Sequence, residues 1–228
     1  MTIEIDYLER VESDDPGGGE VAVYWKKMTG DHASDWQKKI QPTIANDARR
    51  ADRNWRWSQI YVGLQVFSSI RQHKPEFLTA LVRLPNGIEI PVGMLMMLTE
   101  YPRIDGEIGG TVFTWFLTSA PKSILRTLGV EKCPNLGRAL VDCGIVKSYR
   151  VGKGGHTWLH CALRGKEFLF NFYKEKCKLH RFPMDKSLPV KNPLVRGNDG
   201  RHFFTDMPLA KTLTNELDGF RPQPVKAR

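Results

Sequence analysis

The stretch CPNLGRALVDCGIVKSYRVGKGGHTWLHC, residues 133–161, decides the fold class, because it joins a glycine turn, a helix, a second glycine turn and a short strand. We predict the helix from about 136 to 151, ended by the glycines of residues 152–155, since glycine accepts the left-handed backbone of a helix C-terminus. Its inner stripe is predicted at Leu136, Leu140, Cys143 and Val146 or Lys147. The stretch raises one question: whether Gly137-Arg138-Ala139 begins a phosphate-binding helix or an ordinary packed one.

The segment upstream of this stretch predicts three strands. In EFLTALVRLPNGIEIPVGMLMMLTEY, residues 76–101, two apolar runs flank Asn86-Gly87, which is a strong hairpin signal. Strands near 77–84 and 88–99 are therefore expected to pair antiparallel. A third strand is predicted at TVFTWFLTSAP, residues 111–121, which is rich in β-branched and aromatic residues and ends at a proline.

The remaining pattern completes a mixed α/β (α+β) domain. At the N-terminal side we predict a strand at 21–25, a helix from about 34 to 53 interrupted by Pro42, and a strand at the start of 60–70. Downstream come a strand at 156–162, a helix at 166–177, a strand at 201–206 and a closing helix at 207–217. The predicted organisation is a flexible segment (1–20), a single domain (21–219) and a disordered basic tail (220–228).

Composition narrows the classes of protein and of partner. A net charge of +9 predicts an attraction to polyanions, of which a nucleic acid and a phosphate-rich cofactor are two examples. No apolar run approaches the ~20 residues that span a bilayer, and the acidic N-terminus lacks the order of a secretion signal. The 4 cysteines lack a paired framework, which favours reduced thiols. We therefore expect a cytoplasmic protein without a membrane partner; an oligomer is possible.

The predicted start of the helix at 136–151 has features of a phosphate site. A helix N-terminus offers unpaired N–H groups and a positive dipole end, and glycine at 137 would let a ligand approach the backbone. Basic side chains in the same loop and first turn are Lys122, Arg126, Lys132 and Arg138. Each feature is common in packed helices too, so both interpretations stay open at this point.

Segment 111–182 resembles the coenzyme A-binding half of the GNAT superfamily of acyltransferases, and the wider resemblance covers roughly residues 75–210. That family has a loop Gln/Arg-x-x-Gly-x-Gly/Ala after its central strand, and residues 134–139 of this chain read Pro-Asn-Leu-Gly-Arg-Ala. The family's later helix carries a Phe-Tyr pair, present here as Phe172-Tyr173. The chain departs from the family at Pro134 and at Cys177-Lys178, where the family has Gln/Arg and Gly-Phe.

The resemblance implies an N-acyltransferase that moves an acetyl group directly from acetyl-CoA, or another acyl-CoA, to an amine. It implies a mostly antiparallel central sheet flanked by helices, and Tyr173 as the donor of a proton to the leaving thiolate. A backbone N–H of the strand at 111–120, near Leu117 or Thr118, would polarise the carbonyl. The implied cofactor-binding residues are Phe116, Leu117, Thr118, Lys122, Arg126, Asn135, Leu136, Gly137, Arg138 and Ala139.

A general base is harder to assign, because the strand at 111–120 contains no acidic residue. We select Glu100 and Glu107 as candidates, with Asp105 beside them, since all three lie just upstream, where a loop is expected to face the acceptor. Solvated loop carboxylates are the alternative interpretation. A proton relay through water, Thr118 or Ser119 is a further alternative.

Two other groups of residues invite functional interpretations. The cysteines and the histidines at 156, 160 and 180 lack metal-ligand spacing, so the sequence predicts no metal site.

The run RRADRNWRW, residues 49–57, is typical of a nucleic-acid surface, but an amphipathic helix with tryptophan inward and arginine outward is favoured. The acceptor amine (protein, small molecule or nucleic-acid-linked) stays open, and the alternative function is a non-catalytic nucleic-acid-binding or regulatory module on the same fold.

Overall fold

We describe the protein from a computed structural model over residues 5–71, 74–188 and 197–222. The strands are β1 (Arg10–Glu12), β2 (Glu20–Ala22), β3 (Tyr24–Lys27), β4 (Pro75–Arg83), β5 (Glu89–Tyr101), β6 (Thr111–Ser119), β7 (Thr157–His160), β8 (His180–Arg181) and β9 (His202–Thr205). The helices are α1 (Gly30–Lys39), α2 (Gln41–Ala45), α3 (Trp57–Arg71), α4 (Lys122–Thr127), α5 (Gly137–Arg150), α6 (Lys166–Asn171), which continues as a π-helical turn over Phe172–Lys176, and α7 (Met207–Asn215). Within the described ranges, no helix is long and apolar enough to cross a bilayer.

Seven of the strands form one sheet in the order β3-β4-β5-β6-β7-β9-β8. The hairpin predicted around Asn86-Gly87 is confirmed, since β4 and β5 pair antiparallel and Gly87 has φ +83°. All neighbours in this sheet are antiparallel except β6 and β7. This mixed, mostly antiparallel sheet with flanking helices confirms the predicted fold class.

Helices cover the two faces of the sheet with separate apolar cores. On the first face, α1, α2 and the start of α3 bury Trp36, Ile44 and Trp57 against side chains of β5 and β6. On the second face, α5, α6 and α7 pack over β7 and β9, with Ile145 and Phe203 buried. We call these the α1 face and the α5 face.

Two sequence predictions were wrong between residues 34 and 70. The start of 60–70, predicted as a strand, belongs to helix α3, whose residues Val62 and Val66 are exposed. An apolar run does not by itself distinguish a strand from a helix. The helix predicted to reach residue 53 stops at Lys39, and the separate short helix α2 begins at Gln41 with Pro42 in its first turn. The run 49–57 consequently lies in turns up to its last residue, rather than in an amphipathic helix.

Both ends of the described chain pack onto the domain. Residues 1–20, predicted to be flexible, contain β1, which pairs with β2, and they bury Leu8 and Val11 in the core. Arg221 falls in the predicted disordered tail, yet it is buried and forms an ion pair with Asp142 of α5. The rest of that tail, 223–228, and residues 1–4 lie outside the described residues.

Candidate active site

The parallel strands β6 and β7 pair at only one end, which leaves an opening in the sheet. Their register covers Val112↔Thr157, Phe113↔Trp158 and Thr114↔Leu159. Beyond that point β6 continues to Ser119, whereas the N–H of Cys161 turns to bond the carbonyl of Arg201 at 2.8 Å. The carboxyl-terminal ends of the two strands therefore diverge, and the part of β6 beyond Thr114 does not pair with β7.

The strand residues expected to bind the cofactor line this opening. Phe116 and Leu117 are partly buried and Thr118 is buried, in a stretch of β6 without a β7 partner. Leu117 packs on the α5 face, and Phe116 packs on the α1 face against Trp55, with ring centroids 4.9 Å apart. A β-bulge next to Phe116 shifts the register with β5 and redirects the side chains at this point.

Tyr173 reaches the opening from the α5 face. The π-helical turn after α6 places its side chain in the core beside Phe203, and only 5% of the residue is exposed. Burial, with smaller effects of Cys161, Cys177 and Asp52, raises the pKa of Tyr173 above its usual value. The phenol is therefore protonated at neutral pH, as a proton donor must be.

Asp52 lies on the α1 face at the end of β6 and was not selected from the sequence. It is 5% exposed, and its Oδ2 accepts a hydrogen bond from Thr118 Oγ1. Arg50 donates to both carboxylate oxygens, at 2.8 and 2.6 Å, and to the carbonyl of Ser119 at 2.8 Å. A buried carboxylate on the α1 face and a buried phenol on the α5 face thus lie on the two sides of β6, the first bonded to Thr118 and the second in the cluster that packs with Leu117.

The short helix α2 fixes the backbone of Asp52. Gln41 is 3% exposed, and its Nε2 donates to the carbonyl of Asp52 at 3.0 Å. The same side chain accepts from Trp36 Nε1 at 3.2 Å, which links the turn to helix α1. Trp57 is fully buried, and Trp55 is partly buried with its ring against Phe116, so both tryptophans of the run 49–57 pack toward β6.

Helix α5 begins at Gly137, as the sequence predicts, and no described side chain caps its N-terminus. The space beside this glycine is occupied by the ring of Phe172: a Cβ added at Gly137 would lie 2.6 Å from Phe172 Cζ. Glycine at this position therefore lets the Phe-Tyr pair pack over the first turn of α5. The structure thus brings the two segments of the family resemblance, 134–139 and 172–173, into contact.

The basic residues around this helix start are paired with carboxylates. Asp15 lies 2.6 Å from Lys122 Nζ and 2.8 Å from Arg126 Nη2, and it accepts from the N–H of Cys133 at 2.8 Å. The hydrogen bonds from Lys122 and from the N–H of Cys133 lower the pKa of Asp15 to about 2. On the other side of the turn, Arg138 lies 2.7 Å from Glu216.

The N-terminal segment also contacts the expected phosphate loop through its backbone. The N–H of Asn135 donates to the carbonyl of Glu12 at 2.9 Å, and Ser13 forms a β-bridge with Pro134. Leu136 and Ala139 are each 2% exposed and pack in the core. Residues 12–15, which we call the acidic strap, therefore lie directly on the loop before α5.

The carboxylates selected from the sequence lie elsewhere. Tyr101 pairs with Thr111, so Glu100 is beside the paired end of β6 and not beside the opening, and it lies 3.1 Å from Lys153. Glu107 is in the loop before β6, with 71% of its side chain exposed, 3.6 Å from Arg103. Asp105, in the same loop, accepts from Arg103, which lowers the pKa of its carboxyl. The structure does not bring these groups to Tyr173.

Comparisons with solved structures identify the architecture. The model superposes on apo FdhC, a nucleotide-linked sugar GNAT, with a TM-score of 0.53 and 7% identity over 96% of this chain and 100% of that chain. A mutant of the toxin AtaT bound to the C-terminus of the antitoxin AtaR and acetyl-CoA gives 0.48 and 12% identity, over 84% and 98%. A phosphinothricin acetyltransferase from Sinorhizobium meliloti in complex with acetyl-CoA gives 0.41 and 10%, over 80% and 87%.

No protein-family model matches the sequence, and a search of curated proteins gave no match. The likeness to FdhC, at low identity, establishes that the chain has the GNAT fold, as the motifs at 134–139 and 172–173 led us to expect. Chemistry has to be argued from this chain's own residues.

Proposed function

We propose that this protein is an N-acyltransferase that moves an acetyl group from acetyl-CoA to an amine, with both substrates bound together. The observation that carries the proposal is the divergence of β6 from β7, where Thr118 bonds the Asp52 carboxylate on one face and Leu117 packs in the cluster of Tyr173 on the other. The GNAT fold and the contact between the 134–139 and 172–173 segments support it.

The two buried groups suit the two proton transfers of direct acyl transfer. The amine nitrogen bonds to the thioester carbonyl carbon, the C–S bond breaks, and an N–H of Leu117 or Thr118 polarises the carbonyl oxygen. Asp52 takes the proton released by the amine, directly or through the Thr118 hydroxyl that donates to it. Tyr173 gives its proton to the leaving thiolate and regains one from solvent. Asp52 replaces Glu100 and Glu107 as our proposed base, because those two lie beside the paired end of β6.

The cofactor's phosphates are proposed to lie at the start of α5, where the helix N-terminus and nearby cations favour anions. The cationic groups available there are Lys122, Arg126 and Arg138, with the backbone of residues 135–139. Their carboxylate partners, Asp15 and Glu216, would have to exchange for phosphate; the Glu216 side chain is 32% exposed, whereas that of Asp15 is 11% exposed and lies against the loop.

The ion pairs that Asp15 forms with Lys122 and Arg126 favour one alternative, non-catalytic function. If the acidic strap keeps the loop closed to phosphates, the chain is a non-catalytic binding or regulatory module on a GNAT fold. The fully buried Trp57 offers no stacking surface to a single-stranded nucleic acid, and Trp55 is partly covered by Phe116. The alternative therefore depends on the acidic strap alone.

Calorimetric titration with acetyl-CoA distinguishes these two functions. If the protein does not bind acetyl-CoA measurably at millimolar concentration, the acyltransferase proposal is contradicted. Transfer is then measured as release of the free thiol of CoA with three amines: a nucleotide-linked amino sugar, a lysine peptide and an amine on RNA.

With whichever amine is acetylated, Tyr173→Phe and Asp52→Asn should each lower kcat by about 10²–10⁴-fold, with little change in the Kd for acetyl-CoA. Tyr149→Phe, which removes a buried hydroxyl at the far end of α5, is the matched control. A Tyr173→Phe rate equal to the control removes Tyr173 from the mechanism.

A further inference from the structure

Three metal-ligating side chains meet at the carboxyl-terminal end of β7, and the proposed acyl transfer uses none of them. His160 and His202 are direct partners across the antiparallel pair β7–β9, so both imidazoles lie on the same face of the sheet. Asp199, in the turn before β9, has Oδ2 2.9 Å from His160 Nε2 and Oδ1 3.6 Å from His202 Nδ1. The ligand atoms of the three side chains all lie within 4.8 Å of one another.

His202 is the unusual member of this cluster. It is fully buried, and neither ring nitrogen has a hydrogen-bond partner among the residues that the structure describes. Buried polar groups are nearly always paired, so an unpaired imidazole in a folded core calls for an explanation. A neutral imidazole has a lone pair on one ring nitrogen, and that lone pair is what a metal ion binds.

The separations suit a tetrahedral ion. Ligands at 2.0–2.1 Å from a tetrahedral Zn²⁺ lie about 3.3 Å from each other, and one ligand atom from each of the three side chains lies within 4.8 Å of the other two. Two imidazoles and one carboxylate are a donor set that Zn²⁺ accepts, and three protein ligands leave a fourth position for water or substrate.

The surroundings orient these groups and leave an entry path. The N–H of Arg201 donates to Asp199 Oδ1 at 3.0 Å, which fixes the carboxylate as an outer-shell partner would. The Arg201 guanidinium donates instead to the carbonyls of Cys161 and Lys166, at 3.0 and 2.8 Å. His160 and Asp199 have side chains 32% and 31% exposed, so an ion can enter from solvent.

We propose that His160, Asp199 and His202 bind a divalent transition-metal ion of the Zn²⁺ class. The ion ties the turn at residues 197–200 to β7 and completes the coordination of the buried imidazole. The site stands at the end of β7 where the strand leaves β6, on the α1 face, and it holds independently of the acyltransferase proposal. The sequence did not indicate it, because Asp199 and His202 are about forty residues from His160 and no ligand spacing connects them.

The test uses the full chain, free of any histidine tag and stripped with a chelator. Calorimetric titration with Zn²⁺ should give one equivalent per chain, and Co²⁺ should produce the visible absorption of a tetrahedral site. His160→Ala, Asp199→Asn and His202→Leu should each weaken binding at least about tenfold. His180→Ala is the control, because that half-exposed histidine of β8 is not in the cluster.

Three results would overturn the proposal: no stoichiometric uptake, several weak sites, or an affinity that the cluster substitutions leave unchanged. His160→Ala and Asp199→Asn alter partly exposed side chains, so they keep the test decisive if His202→Leu does not fold. Circular dichroism of each metal-free variant establishes that it is folded before titration. If folded protein takes up no metal, the proposal is wrong, and His160 and Asp199 are only a hydrogen-bonded pair.

Discussion

Asp15 competes with an anion for the cationic side chains beside the proposed phosphate-binding loop before α5. With its pKa lowered to about 2, the carboxyl is ionised above about pH 4, and its ion pairs with Lys122 and Arg126 are lost only as the pH falls through about 2. The sign follows from a folded-state pKa below the unfolded one, which favours the charged form. At neutral pH this acidic side chain therefore competes with any phosphate for the same two cations.

Asp15→Asn should tighten acetyl-CoA binding by about two- to fivefold, because the amide oxygen can still accept from the N–H of Cys133 while the competing charge is gone. Calorimetric Kd values at neutral pH measure the effect. Asp47→Asn is the matched control: Asp47 also has a pKa of about 2 and pairs with Arg49, away from α5. If Asp15→Asn binds acetyl-CoA more weakly than Asp47→Asn does, the prediction is wrong and the acidic strap helps to form the binding site.

Single residues differ in how well the sequence predicted their positions. Tyr173 was selected from a local pair, Phe172-Tyr173, and the structure buries it in the core of the α5 face. Asp52 was missed because its contact with Thr118 spans 66 residues and depends on a turn held by Gln41. Glu100 and Glu107 were selected for closeness in sequence to the strand at 111–120, but the antiparallel pairing of β5 with β6 carries that region away from the opening.

Elements were predicted best where a local rule governs them. Asn86-Gly87 fixed the β4–β5 hairpin, and the glycines of 152–155 fixed the end of α5, since Gly152, Gly154 and Gly155 all have positive φ. No local sequence signal distinguished helix from strand in the short apolar segment 60–70, and contacts of Trp57 and Tyr61 with the core stabilise it as a helix. The divergence of β6 and β7 is likewise set by partner strands distant in sequence.

The packing of α5 on the parallel pair depends on a second glycine, Gly144. A Cβ at this position would lie 2.9 Å from Thr114 Oγ1 and 3.4 Å from Thr157 Oγ1, one on each of the two strands. Gly144→Ala should therefore lower the free energy of unfolding by about 1–3 kcal/mol, measured by urea denaturation. Gly63→Ala, at an open position of helix α3, is the control and should stabilise by up to ~1 kcal/mol. Equal effects of the two substitutions would contradict close packing at Gly144.

At the scale of the whole molecule, the ends of the described chain meet on α5. The Arg221 guanidinium donates to both oxygens of Asp142, at 2.7 and 3.0 Å, and to the carbonyl of Asp6. Asp142 is 2% exposed, so an acidic residue in the middle of a buried helix face is tolerated only because a distant arginine neutralises it. Composition led us to place Arg221 in a basic tail, since nothing near it in sequence indicates a buried partner.

Arg221→Met should cost about 3–5 kcal/mol of unfolding free energy, because it leaves the Asp142 carboxylate buried and unpaired. Urea denaturation measures the loss, and Arg49→Met is the control, since that arginine is 90% exposed and losing its ion pair with Asp47 should leave the free energy of unfolding nearly unchanged. The double variant Asp142→Leu/Arg221→Met should recover much of the stability, because replacing both charges removes the uncompensated one. If the double variant is as unstable as Arg221→Met, the hydrogen bond from Arg221 to Asp6, and not the ion pair, holds the two ends on α5.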